Sequence, residues 1–186
     1  MAAALPMLIV DGIGALAGVV GVGMMIPGLL PQVDLHQPVV RVAAGLSWKE
    51  SDTTSGNQPG ISLFDVRGRH IGKMDGKQDR IKDGDFVDIS VPFDVGVGKK
   101  PVEYISVSKG GNDALCIAYL ALTQPDGTKK AWYGDVGKAC GANWYHSLLK
   151  TGDDDYQPSC IWIDGDKSNG TKSLPSTALA LPRFLH

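Results

Sequence analysis

Along most of the chain, apolar and polar residues alternate with a period of two, and Gly, Pro, Asn and Asp interrupt the alternation at short intervals. Such spacing predicts short strands joined by tight turns. Residues 39–42 read as a first strand and residues 60–66 as a second, with Arg67 and Gly68 turning the chain into a third at residues 69–71. Val87, Ile89 and Val91 alternate with Asp88 and Ser90, and Ile105 and Val107 with Ser106 and Ser108, as strands with one wet face should. The run at residues 114–122 has no alternation, which predicts a strand buried on both faces or near a sheet centre. It leads into Gln124-Pro125-Asp126-Gly127, where Pro125 fixes φ and Gly127 supplies a positive φ, so residues 129–133 return as a hairpin partner. Residues 161–163 predict a last strand. The polar stretches at residues 49–59 and 73–85 read as solvated loops. About seven or eight strands at this spacing suit an all-β fold, an antiparallel β-sandwich of jelly-roll-like build.

Residues 1–33 follow another pattern. No charge occurs at residues 12–33, a span that just reaches the ~20 residues needed to cross a hydrocarbon core. On a helix, Gly14, Ala17, Gly18 and Gly21 would share one face and Ile13, Leu16, Val20 and Met24 another, a small-residue groove suited to self-association or to a membrane. Its six glycines and Pro27 oppose a stable helix in water. Packing against the β domain or a partner chain remains open, as does a flexible tail. A cleaved signal peptide fits less well, because no Lys or Arg precedes the stretch and Asp11 interrupts it. The chain therefore divides into an apolar Gly-rich segment (1–33), a β-sandwich domain (34–172) and a tail (173–186) that Pro175 and Pro182 bar from a sheet centre.

Composition narrows the partners. The 18 Lys and Arg are outnumbered by 20 Asp and Glu, so no broad basic field exists to attract nucleic acid. Of three cysteines, Cys116 lies in an apolar run where a free thiol serves as a small core residue, whereas Cys140 and Cys160 lie in polar, turn-rich surroundings. A Cys140–Cys160 disulfide is the expectation, closing a loop of about 20 residues for roughly 3 kcal/mol; three reduced thiols are the alternative. An oxidising, secreted or membrane-associated setting suits the bridge better than the cytoplasm.

Trp132, Tyr133, Asp135, Asn143, Trp144 and Tyr145 stand out as a candidate ligand-binding set, within an aromatic region that also holds Tyr156, Trp162, Asp154 and Asp155. Rings beside carboxylates and amides suit a sugar, since the ring covers C–H surface while the polar neighbours meet hydroxyls. The same residues would also make an ordinary sandwich core. Asp164, Asp166 and Ser168 have the spacing of calcium ligands, but Gly170 falls one position late and Pro175 stands where a bidentate Glu is required, so a turn explains them better. Asn169-Gly170-Thr171 is a glycosylation sequon that matters only on a secretory route. His36, His70, His146 and His186 are too scattered for zinc, and no nucleophile elbow, phosphate loop or dinucleotide fingerprint occurs.

Gly110-Gly111-Asn112-Asp113-Ala114-Leu115-Cys116-Ile117-Ala118-Tyr119, Ala131-Trp132-Tyr133-Gly134-Asp135, Cys140-Gly141-Ala142-Asn143-Trp144-Tyr145 and Cys160-Ile161-Trp162-Ile163-Asp164 together resemble a group of small uncharacterised proteins of filamentous fungi. The resemblance covers residues 39–170 and brings no established activity with it. It implies a further strand after the Asp164 turn, from which the Pro-containing tail departs. The expected function is thus a non-enzymatic binding or interaction module, for a glycan or a protein surface. The alternative is a self-associating or membrane-acting protein using Gly14, Ala17, Gly18 and Gly21, and a hydrolase with an acidic pair comes third.

Overall fold

The structure is a computed structural model that describes residues 30–48, 53–152 and 154–164, and the backbone of residues 177–179. The chain builds β1 (Val39–Ala44), β2 (Gly56–Asn57), β3 (Gly60–Phe64), β4 (His70–Met74), β5 (Arg80–Ile81), β6 (Phe86–Ser90) and β7 (Tyr104–Ser108). Then follow β8 (Leu115–Thr123), β9 (Lys129–Tyr133), α1 (Gly134–Ala139), β10 (Trp144–His146), β11 (Ser159–Ile163) and β12 (Thr177–Leu179). The fold is all-β and its strand pairs are antiparallel. One sheet runs β10-β11-β8-β1-β6 with β9 also on β8, a second runs β12-β7-β3-β4, and β2 pairs with β5 alone.

The two larger sheets face each other across a core in which Val40, Val42, Leu120, Leu122 and Ile161 of one meet Ile61, Leu63, Ile105 and Val107 of the other. This is the expected sandwich. All nine residues of β8 are buried, because the sheet's outer face is covered too: Ala43, Cys116, Ala118, Tyr119, Ala121, Ala131, Tyr133 and Cys160 form a second apolar cluster there. Between Ala43 and Ala44 of β1 the register on β8 slips, so that Ala43 faces Tyr119 while Ala44 faces Ile117. Ala118 is the extra residue of that bulge. The slip shifts which positions of β8 point inward, and together with the double burial it removes any alternation from the sequence.

β9 and β11 share one edge of β8. β9 pairs with Tyr119–Thr123 and β11 with Leu115–Ile117. At the handover sits Gly134, where a Cβ would collide with the Ser159 carbonyl oxygen and press on that of Ile117. No other residue lets the chain leave the sheet there, and it leaves as the single helix turn and a half of α1. The β8–β9 turn is as the sequence predicts: Gly127 has φ 85°, its N–H donates to the Gln124 carbonyl at 2.9 Å, and Gln124 N–H donates to the Thr128 carbonyl at 2.8 Å.

Three expectations are corrected. The disulfide joins Cys116 to Cys160, with their Cα atoms 5.3 Å apart, and Cys140 is free and exposed at the end of α1. Apolar surroundings do not mark Cys116 as a lone thiol, because β11 lies beside β8 and turns Cys160 to the same outer face. The polar stretches at residues 49–59 and 73–85 are not wholly loops, since β2 and β5 lie within them and pair. Buried Asn57 ties them, donating from Nδ2 to the Gln78 carbonyl (2.8 Å) and accepting the Asp113 N–H at Oδ1 (2.9 Å). Residues 144–146 form an unforeseen edge strand, β10. Nor does the Pro-containing tail depart from a further strand after Asp164, as expected of it: β12 lies in that tail and takes a sheet edge against β7, the place open to it.

Charge fixes one turn. Asp65, buried in the β3–β4 turn, accepts the N–H groups of Arg67 (2.9 Å) and Arg69 (3.0 Å) at Oδ1 and the Arg69 guanidinium at Oδ2 (2.8 Å). The Arg69 side chain, then the backbone donors, hold its carboxyl down from the ordinary 3.8 to about 2 against the opposing effect of burial. A depressed carboxylate stabilises the fold fully above its unfolded pKa and loses that contribution as pH falls through the folded one. Thermal stability should therefore decline between about pH 4 and pH 2 more steeply in the native chain than in Asp65→Asn, which should be less stable at pH 7. Equal slopes for the two would remove Asp65 from this role.

A thiol reagent without reductant should label Cys140 alone, and unfolding in reductant should release Cys116 and Cys160. Cys160→Ala should cost about 4 kcal/mol on the chain-entropy estimate for a 44-residue separation. Rapid labelling of Cys116 in the folded chain would contradict the pairing.

Candidate functional site

The sheet divides the six candidate ligand residues. Trp132 lies opposite Leu120 and turns into the main core, where it is buried, so it is no part of a surface site. Tyr133, opposite Tyr119, turns to the outer face. Neighbouring β10 positions divide in the same way: Trp144 pairs with inward-facing Ile161, and Tyr145 with outward-facing Cys160. Tyr145 packs on the outer cluster, and its hydroxyl is 3.5 Å from Ser47 Oγ. Asn143 contributes its carbonyl to the Trp162 N–H at 3.0 Å.

What reunites several of these residues is α1, on which Asp135 and Lys138 stand three apart and so share a face. Lys138 Nζ lies 3.5 Å from the centre of the Trp144 ring and 3.4 Å from Ser159 Oγ. The Ser159 N–H donates to Asp135 Oδ1 at 3.3 Å. Beyond Asp135 comes Tyr156, whose ring is 5.4 Å from that of Tyr133. The result is a strip running Trp144, Lys138, Ser159, Asp135, Tyr156, Tyr133, with its rings exposed near both ends: Trp144 is 47% and Tyr156 40% accessible.

Electrostatics along the strip are uneven. Burial, then the negative charge of Asp135, raises the Tyr156 hydroxyl above its ordinary value, so it is a hydrogen-bond donor throughout the neutral range. Asp135 Oδ2 is buried without a hydrogen-bond partner among the described residues. Beneath the strip, Tyr119 is pushed up to about 12 by burial, an effect Arg41 partly offsets. Arg41 itself is spent on Asp88, to which Nε and Nη2 donate at 2.7 and 2.8 Å, with Phe86 stacked 3.8 Å from the guanidinium carbon.

Lys138 and Ser159 escaped the sequence reading, because a helix this short and rich in glycine leaves no periodic signal. Exposed Trp48, beside Ser47 and hence near Tyr145, was also missed; a Trp within a polar stretch is the signal that could have found it. Asp164 is buried, while Asp166 and Ser168 lie outside the described residues, as do Gly14, Ala17, Gly18 and Gly21. Among the described residues no cluster of His, Cys, Asp and Glu could hold a metal, and no helix is long and apolar enough to cross a membrane. Compared with known proteins, the chain matches no family model and no curated protein.

Proposed function

We propose that the domain is a non-enzymatic binding module whose ligand is a glycan, taken along the strip from Trp144 to Tyr156. The observation that supports this most is the exposure of both rings while each is held from behind, Trp144 by the Lys138 ammonium and Tyr156 by Tyr133. A fixed, exposed ring offers C–H surface a platform at little entropic cost. Polar groups stand beside the rings: the Tyr156 hydroxyl, hydrogen-bonded to Asp135, can still accept a sugar O–H, and the Lys138 ammonium has further N–H donors.

Trp144→Ala and Tyr156→Ala should each weaken glycan binding about tenfold or more, since central aromatic contacts dominate such interfaces. Both residues are half-exposed, so melting temperatures should change little. Calorimetric titration against the best ligand from a glycan screen measures this. Full affinity in both variants would move the site elsewhere, and a screen without a binder would overturn the ligand class.

A further inference from the structure

The end of the sandwich where β8 finishes differs from the end that carries the aromatic strip. Four pieces of chain meet there. The β6–β7 connection is joined to β4 through the Asp94 N–H on the Ile71 carbonyl (2.8 Å) and His70 Nδ1 against Asp94 Oδ2 (2.7 Å). It is joined to the β8–β9 turn through the Val102 N–H on Gln124 Oε1 (2.8 Å). Lys99 Nζ donates to the Leu35 carbonyl at 2.6 Å, and the Thr123 hydroxyl to the Pro31 carbonyl at 2.9 Å. The outermost side chains of these pieces are aliphatic: Leu35 is 65% exposed, Val66 45%, and Val95 is fully exposed.

Single exposed aliphatic residues mean little. Three on separate loops at one end are different, because cations accompany them. Asp65 pairs with Arg69 and Asp94 with His70, whereas among the described residues Arg67, Lys99 and Lys100 form no ion pair with a carboxylate. Lys99 and Lys100 line an open groove of about 340 Å³ between the β6–β7 connection and the β8–β9 turn, with Asp126 as the one carboxylate in its lining. The chain also enters the domain at the cationic end, at Leu30 and Pro31, directly after the uncharged stretch of residues 12–29.

We propose that this end rests on an anionic phospholipid bilayer, with Leu35, Val66 and Val95 at the acyl boundary and Arg67, Lys99 and Lys100 among the headgroups. An apolar element alone gives weak, reversible attachment, and a basic patch beside it supplies the second signal that stable binding requires. The Asp65 network holds the Val66 turn in shape, so the tip reaches the bilayer without an ordering cost. The aromatic strip then faces away from the membrane.

Co-sedimentation of the full chain with vesicles of phosphatidylcholine and phosphatidylserine tests this. The native chain should bind phosphatidylserine vesicles at least fivefold better than pure phosphatidylcholine vesicles, and the preference should shrink as salt rises. Val66→Asp/Val95→Asp and Lys99→Glu/Lys100→Glu should each reduce that binding at least fivefold with unchanged melting temperatures. Trp144→Ala should bind as the native chain does. Native-level sedimentation of both double variants would show that the uncharged stretch acts without this end, and equal binding to both vesicle types would remove the basic residues; either result overturns the proposal, as does no vesicle binding.

Discussion

Burial of β8 on both faces is the constraint from which the rest of the structure follows. Its inward residues close the core between the sheets, and its outward residues, Cys116, Ala118, Tyr119 and Ala121, demand a second cover that an ordinary sandwich does not need. The small side chains of that outer face let the covering side chains come close: Leu30, Tyr145, Leu149 and Trp162 pack on it, and Cys160 closes a covalent bond across it. A polar residue survives there only with its hydrogen bonds met, as Arg41 shows with Asp88 and Thr123 with Pro31.

The same strand positions the candidate site. Two strands share one of its edges, so the chain must abandon the sheet at Gly134, turn once as α1 and come back as β10 and β11. Asp135 and Lys138 face Ser159 and Trp144 because that detour is so short. At the other end of β8, the β8–β9 turn and the loops packed beside it gather the exposed aliphatic and cationic side chains. One central strand thus separates the aromatic strip from the loops that carry Leu35, Val66, Val95, Arg67, Lys99 and Lys100. The glycan proposed for the strip and the bilayer proposed for these loops are compatible in a single molecule.

Much of the fold was legible because the signals were local. Period-two alternation located β6 and β7, the unbroken run of β8 announced double burial, and Pro125 with Gly127 fixed the hairpin. What escaped depends on partners distant in sequence. Cys116 looks unpaired until β11 is laid beside it, 44 residues on, and Asn57 looks like loop until Gln78 and Asp113 meet it. Trp132 and Trp144 look alike in composition, yet β9 turns one into the core while β10, at the sheet edge, leaves the other exposed. Strand alternation could have separated Trp132 from Tyr133 in advance, but the strip through α1 could not be foreseen without the handover at Gly134.

Native-state hydrogen exchange tests most directly whether β8 carries the structure. If it does, the amides of Leu115–Thr123 exchange only through global unfolding and are the slowest in the chain, with those of β6 and β10 opening first at the sheet edges. Exchange of the β8 amides at or above the rate of those edge strands would contradict the account.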